Sequence, residues 1–180
     1  MRNVFVSPAL VLFAAAVTFA GCMHDGGYRA TGSSAGGSVS GTDREFVMMA
    51  AQANAAEIAT GELAQRNAGS DAVRQYGRRM IQDHGMASKE LEAIAGKLGI
   101  TPPKQPDPKH QADAQMLAKL TGAEFDRQYG AHMLKDHQMT IALFEKQSRG
   151  GDNAELKQFA TKTLPVLQEH LKLARTLPAG

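Results

Sequence analysis

From Thr101 to His110 the chain reads TPPKQPDPKH, with prolines at positions 102, 103, 106 and 108. Proline has no amide hydrogen to give to a helix, and its ring clashes with the turn before it. This stretch therefore interrupts whatever helix precedes it. On both sides apolar residues recur at intervals of three and four, the period of an amphipathic helix, and no strand-like alternation of useful length appears. The sequence predicts two helical halves joined by a long connector that is not itself helical.

Each half holds two long segments. The first opens at TDRE, where Thr42 and Glu45 have capping-box spacing. It runs to about Gln65, with Phe46, Ala50, Ala53, Glu57 and Gly61 on one stripe. The second starts after Ser70 and ends near Gly99, a residue suited to closing a helix. Its stripe is Val73, Tyr76, Met80, His84, Ala87, Leu91, Ile94 and Leu98. A short helix is expected over Gln111 to Leu120. Thr121 and Glu124 have capping-box spacing for the third long helix. Its stripe holds Phe125, Tyr129, His132 with Met133, Asp136 with His137, Ile141 and Phe144, and Gly150 and Gly151 end it. Asp152 with Glu155 opens the fourth, which reads Leu156, Phe159, Thr163, Val166, His170, Leu173 and Leu177, with Pro165 expected to kink it. Four long segments, two tight turns and one long connector predict an all-α, antiparallel four-helix bundle over residues 42–178. With 180 residues, 43% of them hydrophobic, and a net charge of +2, the chain has material for one core and no basic stripe for nucleic acid.

The polar residues on these stripes carry the functional question. YGRRMIQDH, from Tyr76 to His84, returns fifty-three residues later as YGAHMLKDH, from Tyr129 to His137. In both copies Tyr, Met and His fall at i, i+4 and i+8, so a phenol, a thioether and an imidazole line one helical face. The acid before each histidine, Asp83 or Asp136, lies about 100° round the helix. The glycine after each tyrosine lets a neighbouring helix come close. A third acid–histidine pair, Glu169 with His170, lies on the last helix, and the first helix contributes Glu57. With both tight turns at one end of the bundle, Glu57, His84, Asp136, His132 and His170 spread over roughly 13 Å along the axis. That argues against one compact site containing all of them and for two neighbouring clusters or one partial cluster.

Two readings follow. In the first, the histidines are core residues whose ring N–H groups are satisfied by carboxylates or water, and the bundle has a binding or structural role. In the second, imidazole and carboxylate together hold a divalent transition metal. His132 and Asp136, one turn apart, reach one ion, and Glu57, Asp83, His84, His137 and His170 supply the rest of the shell. Met80 with His84 and Met133 with His137 are also one turn apart, a pairing that suits copper. Imidazole binds metal only when neutral, so binding by ordinary histidines fades below about pH 6. Nothing marks a nucleophile or an oxyanion site, so enzymatic activity is not expected.

The N-terminus precedes the fold. After Arg2, an apolar run from Val4 to Ala20, broken by Ser7 and Thr18, reads as a signal peptide over residues 1–21 rather than a membrane span. The run ends at FAG before Cys22, the single cysteine. A lone thiol forms no internal disulfide, and small residues before a cysteine at this place match a bacterial lipobox, with Phe19 where leucine is usual. The expectation is lipidation at Cys22, a membrane anchor, and, with Met23 rather than aspartate next, an outer-membrane lipoprotein facing the periplasm. Residues 22–41, rich in Gly and Ser, then form the tether.

Four stretches, FVMMAAQANAAEIATGELAQ, VRQYGRRMIQDHGMASKEL, GAEFDRQYGAHMLKDHQMTIALFE and KQFATKTLPVLQEHLKLA, together resemble the bacterial domain-of-unknown-function 4142 family over about residues 43–177. The elements RM-x-x-DH, FD-x-x-Y…DH and LP-x-L-x-x-H carry the resemblance in combination. It implies a ferritin-like bundle, exported and often lipid-anchored, with recurrent polar positions at Glu57, Asp83, His84, Asp136, His137 and His170, and it implies no particular activity. Di-iron bundles need E-x-x-H on two helices. This chain has no E-x-x-H, so ferroxidase chemistry is not expected. The resulting expectation is a cell-envelope lipoprotein with a binding or structural role, stress being one setting. The alternative is a Zn, Cu or Fe protein using the histidine–carboxylate cluster.

Overall fold

A computed structural model describes residues 39–178. These form five helices, α1 (Gly41–Asn67), α2 (Asp71–Lys97), α3 (Pro108–Leu117), α4 (Gly122–Gly150) and α5 (Ala154–Ala174), with no strand among the described residues. The signal peptide, Cys22 and most of the tether expected from the sequence lie outside them. No helix among the described residues is long and apolar enough to cross a membrane.

Local capping sets the helix starts, not always at the expected residue. Ser70 caps α2, its hydroxyl accepting from the Val73 amide. Ser40 rather than Thr42 caps α1, accepting from the Asp43 amide at 3.1 Å, so Gly41 belongs to the helix and not to the tether. Asn153, not Asp152, caps α5, and Thr121 precedes α4 without a side-chain cap bond. The connector holds more helix than its prolines suggested. Pro108 opens α3 in the first turn, where its amide would be unpaired anyway, and Asp107 accepts from the amides of Lys109 and His110. α3 ends at Leu117, short of the expected Leu120. Val166 is 39% exposed and Leu167 is 1% exposed, so the inner stripe of α5 passes from Ala160 to Leu167 and not through Val166.

The four long helices pack as a bundle. α1 lies against α2 and α4, α5 lies against α4 and α2, and α3 crosses α1 and α4. This leaves α2 and α4 facing each other diagonally. Two buried carboxylates fix the arrangement. Asp126, near the start of α4, accepts from the amides of Gly69 and Ser70 in the α1–α2 turn at 2.9 and 2.8 Å. Asp43, in the first turn of α1, accepts from the amides of Asp152 and Asn153 in the α4–α5 turn at 3.2 and 2.8 Å, and from Gln147 Nε2 at 2.7 Å. The start of α4 therefore lies beside one tight turn and its end leads into the other. The two turns sit at opposite ends of the bundle, roughly 40 Å apart along α4. The expectation that both share one end is overturned, because contacts between the hairpins, which leave no local sequence signal, decide it. The connector runs the length of the bundle.

The core has three layers. Near the α4–α5 turn Phe46, Leu91, Ile94, Phe144, Leu156 and Phe159 form one apolar cluster. Phe144 lies edge-on to Phe46 with centroids 5.1 Å apart. Near the α1–α2 turn Val73, Tyr76, Met80, Phe125, Tyr129 and Met133 form another. Between the two clusters lie the buried polar residues Asn54, Glu57, His84, His137 and His170. Gly77, after the first repeat tyrosine, does admit a neighbouring helix: a Cβ there would lie 2.6 Å from the Ala64 Cβ of α1. Gly130, its counterpart, faces the C-terminal segment at Pro178 instead of a helix.

Asp126→Ala removes the acceptor of two turn amides. Hydrogen bonds to charged acceptors contribute about 1.5–3 kcal/mol each, so urea denaturation should show a loss of about 3–5 kcal/mol. A loss below about 1 kcal/mol would mean that water serves the turn equally well.

A buried three-histidine centre

His84 on α2, His137 on α4 and His170 on α5 are 3%, 1% and 1% exposed. They meet because α2 and α4 start at the same end of the bundle, so His84 and His137 both stand about 20 Å along their helices. His170 comes down from the opposite end. The ring centroids are 5.8 Å (His84–His137), 5.4 Å (His84–His170) and 5.4 Å (His137–His170) apart. One side-chain nitrogen from each ring lies within 4.8 Å of the other two.

The outer nitrogens fix the tautomers. His137 Nδ1 is 2.9 Å from the Met133 carbonyl oxygen and His170 Nε2 is 2.8 Å from Asp83 Oδ2. Both oxygens only accept, so both nitrogens carry the hydrogen. His84 Nδ1 donates likewise to Asn54 Oδ1 at 2.9 Å. In a neutral imidazole the other nitrogen is then a lone pair. The inward atoms are His84 Nε2, His137 Nε2 and His170 Nδ1. The last two face each other at 3.4 Å with no hydrogen to share, and His84 Nε2 is buried with no hydrogen-bond partner among the described residues.

Electrostatics keep these rings neutral. Burial pushes the His84 pKa well below the ordinary 6.5, and the neighbouring His137 and His170 push it the same way. Burial, then His170, pushes His137 down to about 4. His170 is also lowered by burial, against the opposing hydrogen bond and charge of Asp83. Glu57 approaches His137 Nδ1 at 3.6 Å. That is no ion pair, because the imidazole is neutral and its hydrogen already points to Met133. Burial, then the charge of Asp136, raises the Glu57 pKa well above 4.5, and its Oε2 has no partner among the described residues.

The residues singled out from the sequence divide between two places. His84, His137 and His170 come together, with Glu57 and Asp83 beside them. His132 and Asp136 do not join them. His132 Nε2 lies 3.0 Å from Asp136 Oδ2, and His110 Nε2 approaches the same oxygen at 3.5 Å. Neither acid of the repeat serves the histidine that follows it: Asp83 holds His170, and Asp136 turns to His132 and His110. Asn54 and His110 were missed. An uncharged amide on a stripe of alanines gives no signal. His110 sat in a stretch read as non-helical, although Asp-Pro at 107–108 is a helix-start signature.

Fold and site together define an all-helical bundle with three histidines buried in its middle layer. The chain belongs to the family described as Domain of unknown function (DUF4142), whose model matches residues 29–177. No curated protein matches it. Its fold is similar to that of a DUF305 fragment from Deinococcus radiodurans, with a TM-score of 0.68 and 16% identity, covering 77% of this chain and 95% of that one. It is also similar to CopM in the Cu(I)-bound form, with a TM-score of 0.64 and 19% identity, covering 74% and 93%.

The histidines make stability depend on pH with a definite sign. Between their depressed values and the 6.5 of the unfolded chain, the unfolded state binds more protons. Their contribution is complete above about pH 6.5 and is lost as pH falls through their depressed values, about 4 for His137. For His137 alone the step from 6.5 to about 4 is worth roughly 3 kcal/mol. Glu57 acts in the opposite sense: its contribution is present below 4.5 and lost as pH rises through its raised value. Denaturation midpoints should therefore climb between pH 4.5 and 6.5, and His137→Gln should flatten the climb. Glu57→Gln should raise stability on the alkaline side. Midpoints level across pH 4.5–6.5 would show that the rings protonate freely in the fold.

Proposed function

We propose that this chain is a metal-binding protein of the cell envelope, built on a ferritin-like four-helix frame. His84 Nε2, His137 Nε2 and His170 Nδ1 are its ligand atoms, and Cu(I) is the foremost ion. The observation that carries this reading is the convergence of three buried lone pairs whose rings are each oriented by an outer hydrogen-bond acceptor. Such outer acceptors are what fix the tautomer and aim of metal-ligating imidazoles.

The donor set narrows the ion. Imidazole suits copper, zinc and other late first-row metals, whereas oxygen donors suit magnesium, calcium and manganese. Three neutral rings bring no negative charge, and burial of net charge is costly, so a monovalent ion fits this layer better than a divalent one. The likeness in fold to CopM in the Cu(I)-bound form supports the same choice. Bound copper would supply a soft Lewis-acid centre. The protein's own part is to aim the rings, keep them unprotonated and exclude water, which suits holding an ion rather than transforming a substrate.

The test is competition for Cu(I) against a chromophoric chelator, without oxygen, on protein free of any affinity tag. One tight equivalent per chain is expected, lost in His137→Gln and in His84→Gln while the helical content stays unchanged. Because burial keeps the rings neutral, binding should persist to about pH 5 and not fade near pH 6 as ordinary histidines would. No withdrawal of Cu(I) from the chelator at neutral pH would leave the packing role as the reading to keep.

The envelope part of the proposal is supported by the apolar run before Cys22 and the small residues next to it. A lipidated cysteine carrying more than one acyl chain holds firmly to a membrane. Cys22→Ser should move the protein from the membrane fraction to the soluble one. A wild-type chain already wholly soluble rules the anchor out.

A further inference from the structure

A second cluster of histidines and carboxylates lies where the connector meets α4, apart from the triad. His110, in the first turn of α3, has Nδ1 held by Asp107 and Nε2 turned to Asp136 Oδ2 at 3.5 Å. His132, one turn before Asp136 on α4, faces the same oxygen through Nε2 at 3.0 Å. Asp136 is 4% exposed, and its other oxygen, Oδ1, is buried with no hydrogen-bond partner among the described residues. Asp113 on α3 is paired with Lys109 at 2.7 Å and lies near enough to feel the charge of both histidines. His132 and Asp113 line a groove of about 670 Å³ between α3 and α4.

We propose that His110, His132 and Asp136 form a second cation site, distinct from the triad, which takes a divalent ion such as Zn²⁺ from solvent through the α3–α4 groove. Two imidazoles and a carboxylate are a donor set for divalent late first-row metals. His132 and Asp136 are spaced to reach one ion from a single helix. Asp107 on the outer nitrogen of His110 leaves Nε2 as the ligand atom, the carboxylate–histidine arrangement found behind metal-bound imidazoles. The unpartnered Asp136 Oδ1 offers a further donor atom at the same point.

Charge separates this site from the triad. Here the donor set itself includes a carboxylate, Asp136, and so favours a divalent ion where the triad offers only neutral rings. Lys109 is paired with Asp113, and Lys119 and Lys135 line the groove. The site also joins two elements. His110 comes from the connector and the other two ligands come from α4, so an ion ties the crossing segment to the bundle. None of this depends on the triad holding metal, and the two claims can fail separately.

The experiment titrates Zn²⁺ into the tag-free full chain by calorimetry, with Co²⁺ as a visible-absorption probe of nitrogen and oxygen ligation. Wild type, His110→Ala, His132→Gln and the triad variant His137→Gln are compared. His137→Gln should keep one Zn²⁺ equivalent. His110→Ala and His132→Gln should bind that equivalent at least tenfold more weakly, with Cu(I) competition unchanged. Asp136→Asn, which keeps the side-chain shape, should behave like the histidine variants and guards against a loss caused by unfolding. The proposal is overturned if wild type binds no Zn²⁺. It is equally overturned if His110→Ala and His132→Gln leave binding unchanged, or if His137→Gln alone abolishes it, which would assign Zn²⁺ to the triad.

Discussion

Each tight turn of this bundle has two amides held by the other hairpin. Gly69 and Ser70 donate to Asp126 on α4, and Asp152 and Asn153 donate to Asp43 on α1. Turn amides shut away from water need an acceptor, and here it arrives only when the other hairpin docks. Closing a turn and setting the relative height of the hairpins are therefore one event. That height decides everything placed on the inner faces. It brings Tyr76 edge-on to Tyr129 at 6.1 Å and His84 to His137 at 5.8 Å, so the two copies of the repeated motif meet across the core level by level.

The middle layer is where packing rules are relaxed. Buried polar atoms in folded proteins nearly always find partners. Here Asn54 Nδ2, Glu57 Oε2, His84 Nε2 and Tyr129 OH lack one among the described residues, and all belong to the polar layer or border it. The apolar clusters on either side make one such concession, the Tyr129 hydroxyl. Local rules broken in one place, and kept elsewhere, are what a functional site looks like. The cluster at Asp136 repeats the pattern on a smaller scale, with one orphaned oxygen and two imidazoles turned to its partner.

Much of this was legible in the sequence, and the failures have a common cause. Apolar periodicity and capping residues placed the four long helices to within a few residues, because both signals are local. The register between hairpins was not legible, since it rests on Asp126 and Asp43 reaching amides 57 and 109 residues away. Assuming both turns at one end spread Glu57, His84, Asp136, His132 and His170 over roughly 13 Å and did not single out the triad, whose His84 and His170 ring centroids lie 5.4 Å apart. The partners of the acids divide the same way: Asp136 with His132, one turn apart, was legible from helical spacing, whereas Asp83 with His170, 87 residues away, was not. Proline content hid His110, because a residue that ends one helix is also the residue that starts another.

The triad draws one ring from the first hairpin and two from the second, and its lone pairs are sealed between two apolar layers. An ion seated there would be enclosed by rings from both hairpins, all three nearly out of reach of solvent, so leaving would require the helices around it to part. Its dwell time would then be set by how often the protein opens and not by the strength of three bonds alone. Loading and unloading would run on the clock of helix separation, and anything that loosens the two aspartate clamps would act on the ion from a distance, as a change in how long it stays.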